Sequence, residues 1–71
     1  MIIKIKGDSI KVGQFLKKVN ETETGGQSKK FIKNNEVKVN GKLVEGRSSK
    51  IRIGDIVWVN DSLFKIEGED N

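Results

Sequence analysis

The stretch "FIKNNEVKVNGKLV", residues 31–44, holds the strongest local fold signal of this chain. In it, Val37 and Val39 flank a lysine, and Asn40-Gly41 separates them from a second short run at residues 42–44. Asn-Gly between two such runs is typical of a two-residue hairpin turn, in which both residues need positive φ. The stretch therefore predicts a β-hairpin, and its lysines raise the question of which anionic partner they contact.

Two helices are predicted upstream of this hairpin. The segment "GQSKKFIKN", residues 26–34, follows Thr24, whose hydroxyl can cap a helix, and Asn34-Asn35 can end the helix in the left-handed conformation. The segment "IKVGQFLKKVN", residues 10–20, follows a turn and an N-cap predicted at residues 7–9. Its apolar residues recur at i, i+3, i+4 and i+7, which is the spacing of one buried stripe.

The rest of the chain alternates short apolar runs with turn residues. Strands are predicted at residues 2–6, 47–53, 56–59 and 63–66, with a turn at Gly54-Asp55. This order predicts a single α+β domain over residues 1–71, in which two helices pack on a small, bent, mainly antiparallel sheet. The expected buried residues are Val12, Phe15, Leu16, Val19, Phe31, Ile32, Val37, Val39, Ile53, Val57 and Val59.

Charge is distributed unevenly along the chain. Residues 1–52 contain thirteen Lys and Arg against five Asp and Glu, a balance of +8, whereas residues 53–71 contain one Lys against five acids, a balance of −4. Together these balances give the net charge of +4. A basic body of this kind indicates a polyanionic partner that meets one face of the molecule.

The composition argues against most enzyme classes. The chain has no Cys and no His, which excludes disulfides, Cys/His zinc sites and a histidine base. Its carboxylates fall on turns and near the end, and "TGGQSKK" lacks the spacing and the preceding strand of a P-loop. No apolar run is long enough for a signal segment or a membrane span. We therefore expect a cytoplasmic, non-enzymatic protein without cofactor, metal, membrane contact or small-molecule substrate.

The start of the second predicted helix is a candidate anion site. Thr24-Gly25-Gly26 offers backbone N–H groups that a helix start leaves unpaired, and the glycines would let a phosphate approach closely. Lys29, Lys30 and Lys33 are related by i+3 and i+4, so they are expected to gather on the exposed side of this helix. The combination favours phosphate binding over a merely flexible turn.

The ordered set of motifs resembles the S-four RNA-binding domain, named from ribosomal small-subunit protein four and also called the alpha-L motif. The resemblance covers residues 10–59, and the "GQFLK" and "GG" segments are most similar to its stand-alone bacterial YaaA-like members. The matching positions are Lys11, Val12, Leu16, Thr24, Lys29, Ile32, residues 37–41 and Gly54-Asp55. The departures are Gly13 in place of an acid, Gly25 in place of the first arginine of the RNA-contacting helix start, Ser28 in place of alanine and Asn35 in place of glycine.

The resemblance implies binding of structured RNA, with ribosomal RNA or a ribosomal subunit as the expected partner, in ribosome assembly or maturation. In the alpha-L arrangement the first helix start, the second helix and the hairpin converge, whereas Lys4, Lys6 and Lys65 should lie elsewhere. The chain is expected to act as a monomer. The candidate RNA contacts are Lys11, Lys18, Thr24, Gly25, Gly26, Lys29, Lys30, Lys33, Lys38, Lys42 and Arg47.

Two other functions remain open at this point. One is a protein–protein adaptor that uses the acidic C-terminal edge or a face containing Trp58, and the other is binding of duplex DNA through the same basic face. Trp58 itself is expected to pack on the back of the sheet, against the N-terminal strand or Phe64, as large aromatics on small sheets usually do. At most one of the four aromatic residues is expected to be exposed, which argues against binding by base stacking.

Overall fold

A computed structural model of the protein describes residues 1–69, so the last two residues of the predicted domain lie outside the described part. Seven strands and two helices form along these residues. In chain order they are β1 (Ile2–Ile5), β2 (Ser9–Lys11), α1 (Val12–Lys18), α2 (Gly25–Asn34), β3 (Val37–Val39), β4 (Lys42–Leu43), β5 (Lys50–Arg52), β6 (Ile56–Val59) and β7 (Ser62–Gly68).

The strands form two sheets, and all pairs but one are antiparallel. The larger sheet has the order β1-β7-β6-β3-β4, in which the first and last strands of the chain pair in parallel, and β2 pairs with β5 in a separate two-stranded sheet. The α+β class and the mainly antiparallel sheet are therefore confirmed. The small β2–β5 sheet was missed, because residues 10 and 11 were predicted to be helical.

The core lies between the helices and one face of the larger sheet, called here the inner face. The apolar stripe of α1 is confirmed, because Val12, Phe15 and Leu16 are fully buried and Val19 packs against the core. The ring of Phe15 meets that of Phe64 in a T-shaped contact, with 5.4 Å between the ring centroids. Such contacts across the layers hold the helical layer to the sheet. The buried apolar residues are Ile5, Val12, Phe15, Leu16, Val37, Ile51, Val57, Val59, Phe64 and Ile66.

One predicted core residue is exposed. Of the eleven, ten are buried or packed against the core, whereas Ile53 is 48% exposed. Strand β5 points Ile51 inward and ends at Arg52, so Ile53 lies beyond the strand, before a turn at Gly54 with φ of 94°. Its side chain lies beside Gly68, where an added Cβ would be 3.1 Å from Ile53 Cδ1. The prediction was wrong because it extended the alternation of inward and outward side chains beyond the last residue of the strand.

The start of α1 differs from the prediction. The helix begins at Val12, after Ile10 and Lys11 have paired with β5, and its N-cap residue Lys11 makes no side-chain cap hydrogen bond. Instead, the N–H of Val12 donates to Ser49 O at 2.9 Å, and the N–H of Gly13 donates to Arg47 O at 2.9 Å. Carbonyls of a distant loop thus take the place of the cap predicted at residues 7–9.

The cap at the start of α2 and the end of the helix at Asn34 are as predicted, but the conformation of the residue that follows is not. The Oγ1 atom of Thr24 accepts a hydrogen bond from the N–H of Gln27 at 3.2 Å. At the other end Asn35 is extended, with φ of −136°, and its Nδ2 donates to Phe31 O at 3.0 Å. A side-chain hydrogen bond therefore ends this helix. The left-handed conformation occurs after α1 instead, at Asn20, with φ of 63°.

The predicted hairpin is confirmed, and it is joined to the Gly-Asp turn. Asn40 and Gly41 both have positive φ, 53° and 85°. The Nδ2 of Asn40 donates to Asp55 Oδ1 at 2.9 Å, and its Oδ1 accepts from the N–H of Ile56 at 3.0 Å. Asp55 also accepts from the N–H of Arg52 through Oδ2, at 2.8 Å. One asparagine thus holds the hairpin turn against the start of β6.

We expect that Asn40→Ala lowers the free energy of unfolding by about 2–3 kcal/mol, because it loses two hydrogen bonds and places alanine in the left-handed region. Asn40→Gly loses the same hydrogen bonds but tolerates the conformation, so it should cost about 1 kcal/mol less than alanine. Urea unfolding of both variants measures these differences. Equal stabilities of the two variants would show that the backbone conformation contributes nothing at this position.

Candidate nucleic-acid interface

Helices α1 and α2 meet the β4–β5 loop, residues 44–49, at Gly13 and Ser28. Ser28 is fully buried, its Oγ is 2.9 Å from Thr22 Oγ1, and it donates to Gly13 O at 3.4 Å. A Cβ added at Gly13 would be 3.3 Å from the Cβ of Arg47 and 3.7 Å from Ser28 Oγ. The absence of a side chain at Gly13 therefore lets both helices and the loop approach closely, and this packing places Arg47 at the helix ends.

The side chain of Arg47 reaches from the loop to the first residue of α2. A Cβ added at Gly25 would overlap Nη1 of Arg47. Gly25 has no positive φ, so its missing side chain provides space rather than backbone freedom. A guanidinium group thus lies at the helix start where the resemblance leads one to expect an arginine from α2, but the loop supplies it.

A groove of about 310 Å³ lies between α1, the loop and the start of α2. It is called here the Arg47 groove. Three of its lining side chains are cationic, and none is acidic. Two of these cations, Lys11 and Arg47, were predicted as RNA contacts, whereas Lys17 was missed. The spacing of Lys17 from Gln14, at i+3 on the polar side of α1, was the available signal. The lining residues are Lys11, Gly13, Gln14, Lys17, Gly25, Arg47 and Ser48.

A second depression of about 520 Å³ lies on the other side of Arg47, between α2 and the same loop. It is called here the α2 depression. Lys29 and Lys33 line it from the helix, while Glu45 and Arg47 line it from the loop. Arg47 is therefore shared by the two concave surfaces, and the predicted contacts Lys11, Lys29 and Lys33 are brought to one side of the molecule.

Other predicted contacts lie elsewhere on the surface. Lys30 lines a shallow pocket with Glu21 on another side of α2, so the three α2 lysines do not form one cluster. Lys18, the last residue of α1, lines a pocket with Lys6 near the end of β1. The two hairpin lysines lie on opposite faces of the larger sheet. Lys38 is on the outer face, whereas Lys42 is paired with Val39 and therefore lies on the inner face. The cap residue Thr24 and the exposed Gly26 remain at the start of α2.

The outer face of the larger sheet carries Trp58, and no helix covers it. Trp58 is 39% exposed and is paired in register with Lys38 and Leu63. Phe64 lies on the inner face, so the predicted packing of Trp58 against Phe64 is wrong. Among the four aromatic residues, all of which are described, one is exposed, in agreement with the expectation of at most one, but it is Trp58, which was expected to be packed. Lys4 and Lys65 are also on this outer face. In the β1–β7 pair they alternate with Ile3 and Ile66, which are paired with each other on the inner face.

Two other features were sought among the described residues, a metal site and a membrane-spanning helix. Within residues 1–69 no three of the His, Cys, Asp and Glu side chains are grouped to hold a metal ion. Neither helix of this part has the length and apolar character needed to cross a membrane. The pronounced chemical feature of the surface is the cationic side around Arg47.

Two comparisons with known proteins show which family the chain resembles. The family profile described as S4 domain matches residues 3–67. A Bacillus subtilis (strain 168) protein named probable ribosome maturation protein RlbA is 38% identical over 57 residues, which cover 80% of this chain and 80% of that protein. The matched range includes both helices, the Arg47 groove and both sheets except the first residue of β1 and the last residue of β7. The chain is thus a member of the S4 domain family.

Proposed function

We propose that the protein binds structured ribosomal RNA without catalysing a reaction, and that it acts in the maturation of a ribosomal subunit. The observation that carries this proposal is the convergence of cations around Arg47, where the Arg47 groove and the α2 depression adjoin. Membership of the S4 domain family supports it, as does the name of the Bacillus relative. A ribosomal partner would also place the protein in the cytoplasm.

The geometry suits a folded RNA better than a flexible single strand. Lysine and arginine contacts to phosphates position a protein without identifying bases, and two concave surfaces separated by one arginine can follow a ridge of backbone. Single-strand binders add aromatic side chains on which bases stack. Here the exposed aromatic residue, Trp58, lies on the outer face of the sheet, away from the cationic side.

The direct experiment is sedimentation of the tagged protein in a bacterial lysate, with and without ribonuclease. We expect the protein to migrate with one ribosomal subunit and to leave that fraction after ribonuclease treatment, because its contacts are to RNA phosphates. Migration that is unaffected by ribonuclease, with one protein as the partner, would contradict the proposal. Binding of purified duplex DNA as tightly as ribosomal RNA at equal salt would instead favour the DNA alternative.

A protein contact is the second candidate function, and the outer sheet face is the observation that favours it. Trp58 and Leu63 lie side by side on neighbouring strands there, and Leu43, across from Lys38, is 64% exposed. Exposed tryptophan and leucine on one open sheet face form the kind of surface that partners cover. In this case the association would persist after ribonuclease treatment.

Charge reversal on the two faces separates a defined RNA site from a general attraction. We expect Lys29→Glu with Lys33→Glu to weaken binding of ribosomal RNA by well over tenfold, because each change removes an attraction and adds a repulsion in the α2 depression. A factor of ten corresponds to about 1.4 kcal/mol. The measurement is a binding titration at one fixed salt concentration.

The matched control is Lys4→Glu with Lys65→Glu, which makes the same change in net charge on the outer face of the sheet. Both variants must first be shown to be folded by circular dichroism. If long-range electrostatic attraction alone were responsible, the two double variants would lose RNA affinity equally. Equal losses would therefore contradict a defined site on the helical side, and the absence of loss in either would favour the protein-contact candidate.

The salt dependence of binding reports how many phosphates are neutralised. If about five cations contact phosphates, a plot of log affinity against log salt should have a slope of roughly −3.5 to −4.5. Titrations of ribosomal RNA at four or more salt concentrations measure it. A flat response would show that the lysines serve solubility only.

A further inference from the structure

We propose that the Arg47 groove is a subsite for one phosphate of the RNA backbone, in which Arg47 is the principal ligand and Gly25 is the residue that admits it. This inference rests on the proposed function and deepens it by assigning the contact to a loop arginine. Lys11 and Lys17 complete the subsite from the N-cap and the last turn of α1.

Arg47 is held in place by backbone contacts on both sides of it. Its carbonyl accepts from the N–H of Gly13 at 2.9 Å, and two residues later Ser49 O accepts from the N–H of Val12 at 2.9 Å. A turn closed by Ser49 N–H and Gly46 O, at 3.2 Å, contains Arg47 itself. The arginine is therefore presented by an anchored loop. A planar guanidinium can bind two oxygens of one phosphate at once, whereas a lysine acts as a single point charge.

Within residues 1–69 the cations of this groove form no ion pair. The one pair of charged groups closer than 4.0 Å in this part of the chain joins Lys38 and Glu36. Lys11 is also directly across from Lys50 in the β2–β5 pair. Like charges at directly opposed positions destabilise a strand pair. An anion bound beside Lys11 would reduce this repulsion.

The guanidinium of Arg47 occupies the space where a side chain at residue 25 would lie. Glycine in a helix is less favourable than alanine, and the backbone of Gly25 is one that alanine could adopt. What glycine provides at this position is room, because a Cβ would collide with Nη1 of Arg47. Gly25→Ala keeps every charge of the protein and yet should displace the guanidinium from the groove.

The experiment compares Arg47→Ala, Gly25→Ala and the double variant in titrations of purified bacterial ribosomal RNA, with Arg52→Ala as the charge-matched control. Arg52 is exposed on β5 and does not line the groove. We expect each single variant to lose about tenfold in affinity, the double variant to lose no more than Arg47→Ala alone, and Arg52→Ala to stay within about twofold of the parent protein.

The salt slope distinguishes a lost phosphate contact from a change in structure. Removal of one phosphate contact should make the slope shallower by roughly one unit in Arg47→Ala. Thermal unfolding confirms that each variant is folded before binding is measured. The proposal is overturned if Arg47→Ala binds like the parent protein, if Gly25→Ala has no effect, or if the two losses add in the double variant.

A titration with inorganic phosphate tests the subsite separately from RNA binding. We expect phosphate to shift the NMR signals of Arg47 Nε–H and of the Gly25 amide in a saturable manner, and to lose this effect on the amide in Arg47→Ala. If ribosomal RNA does not bind at all but phosphate does so here, the proposed function is wrong and the anion subsite stands. If phosphate leaves these signals unchanged, the subsite itself is disproved.

Discussion

The close approach of α1, α2 and the β4–β5 loop at Gly13 is the constraint on which the rest of this structure depends. The first two N–H groups of α1 have no side-chain cap and are satisfied by the carbonyls of Ser49 and Arg47. A side chain larger than hydrogen at residue 13 would press on the loop, because its Cβ would be 3.3 Å from the Cβ of Arg47. Because buried N–H groups need a partner, the same contacts that cap the helix also determine where the loop lies.

The position of the proposed RNA-contacting side follows from this constraint. With its backbone held by Gly13, Arg47 places its side chain between the two concave surfaces that flank the start of α2. The other large surface, the outer sheet face with Trp58, is separated from it by the sheet itself. The proposed RNA contact and the second candidate, a protein contact, therefore occupy opposite sides, and a domain of this size could carry both without competition between them.

Sequence reasoning found the parts of the site that depend on local chemistry and missed those that depend on long-range pairing. Lys29 and Lys33 could be placed together because helical spacing brings i and i+4 side chains to one side. Lys38 and Lys42 could be placed on a hairpin, and the two-residue turn fixes their register, but which face of the hairpin the core covers depends on how the sheet packs. Lys17 was missed because its neighbours in the groove, Arg47 and Ser48, come from a loop about thirty positions further along the chain.

By itself the sequence determined the two helices, the Asn-Gly hairpin, most of the core and the cationic character of the chain, since each of these depends on periodicity or on the conformational preferences of single residues. Only the tertiary structure decided that residues 9–11 form a strand, that distant carbonyls cap α1, that Trp58 is exposed and that Arg47 fills the space left by Gly25. The physical reason is that these features arise from contacts between segments far apart along the chain. Hydrogen-bonding partners and free space at such contacts exist only after the layers have packed.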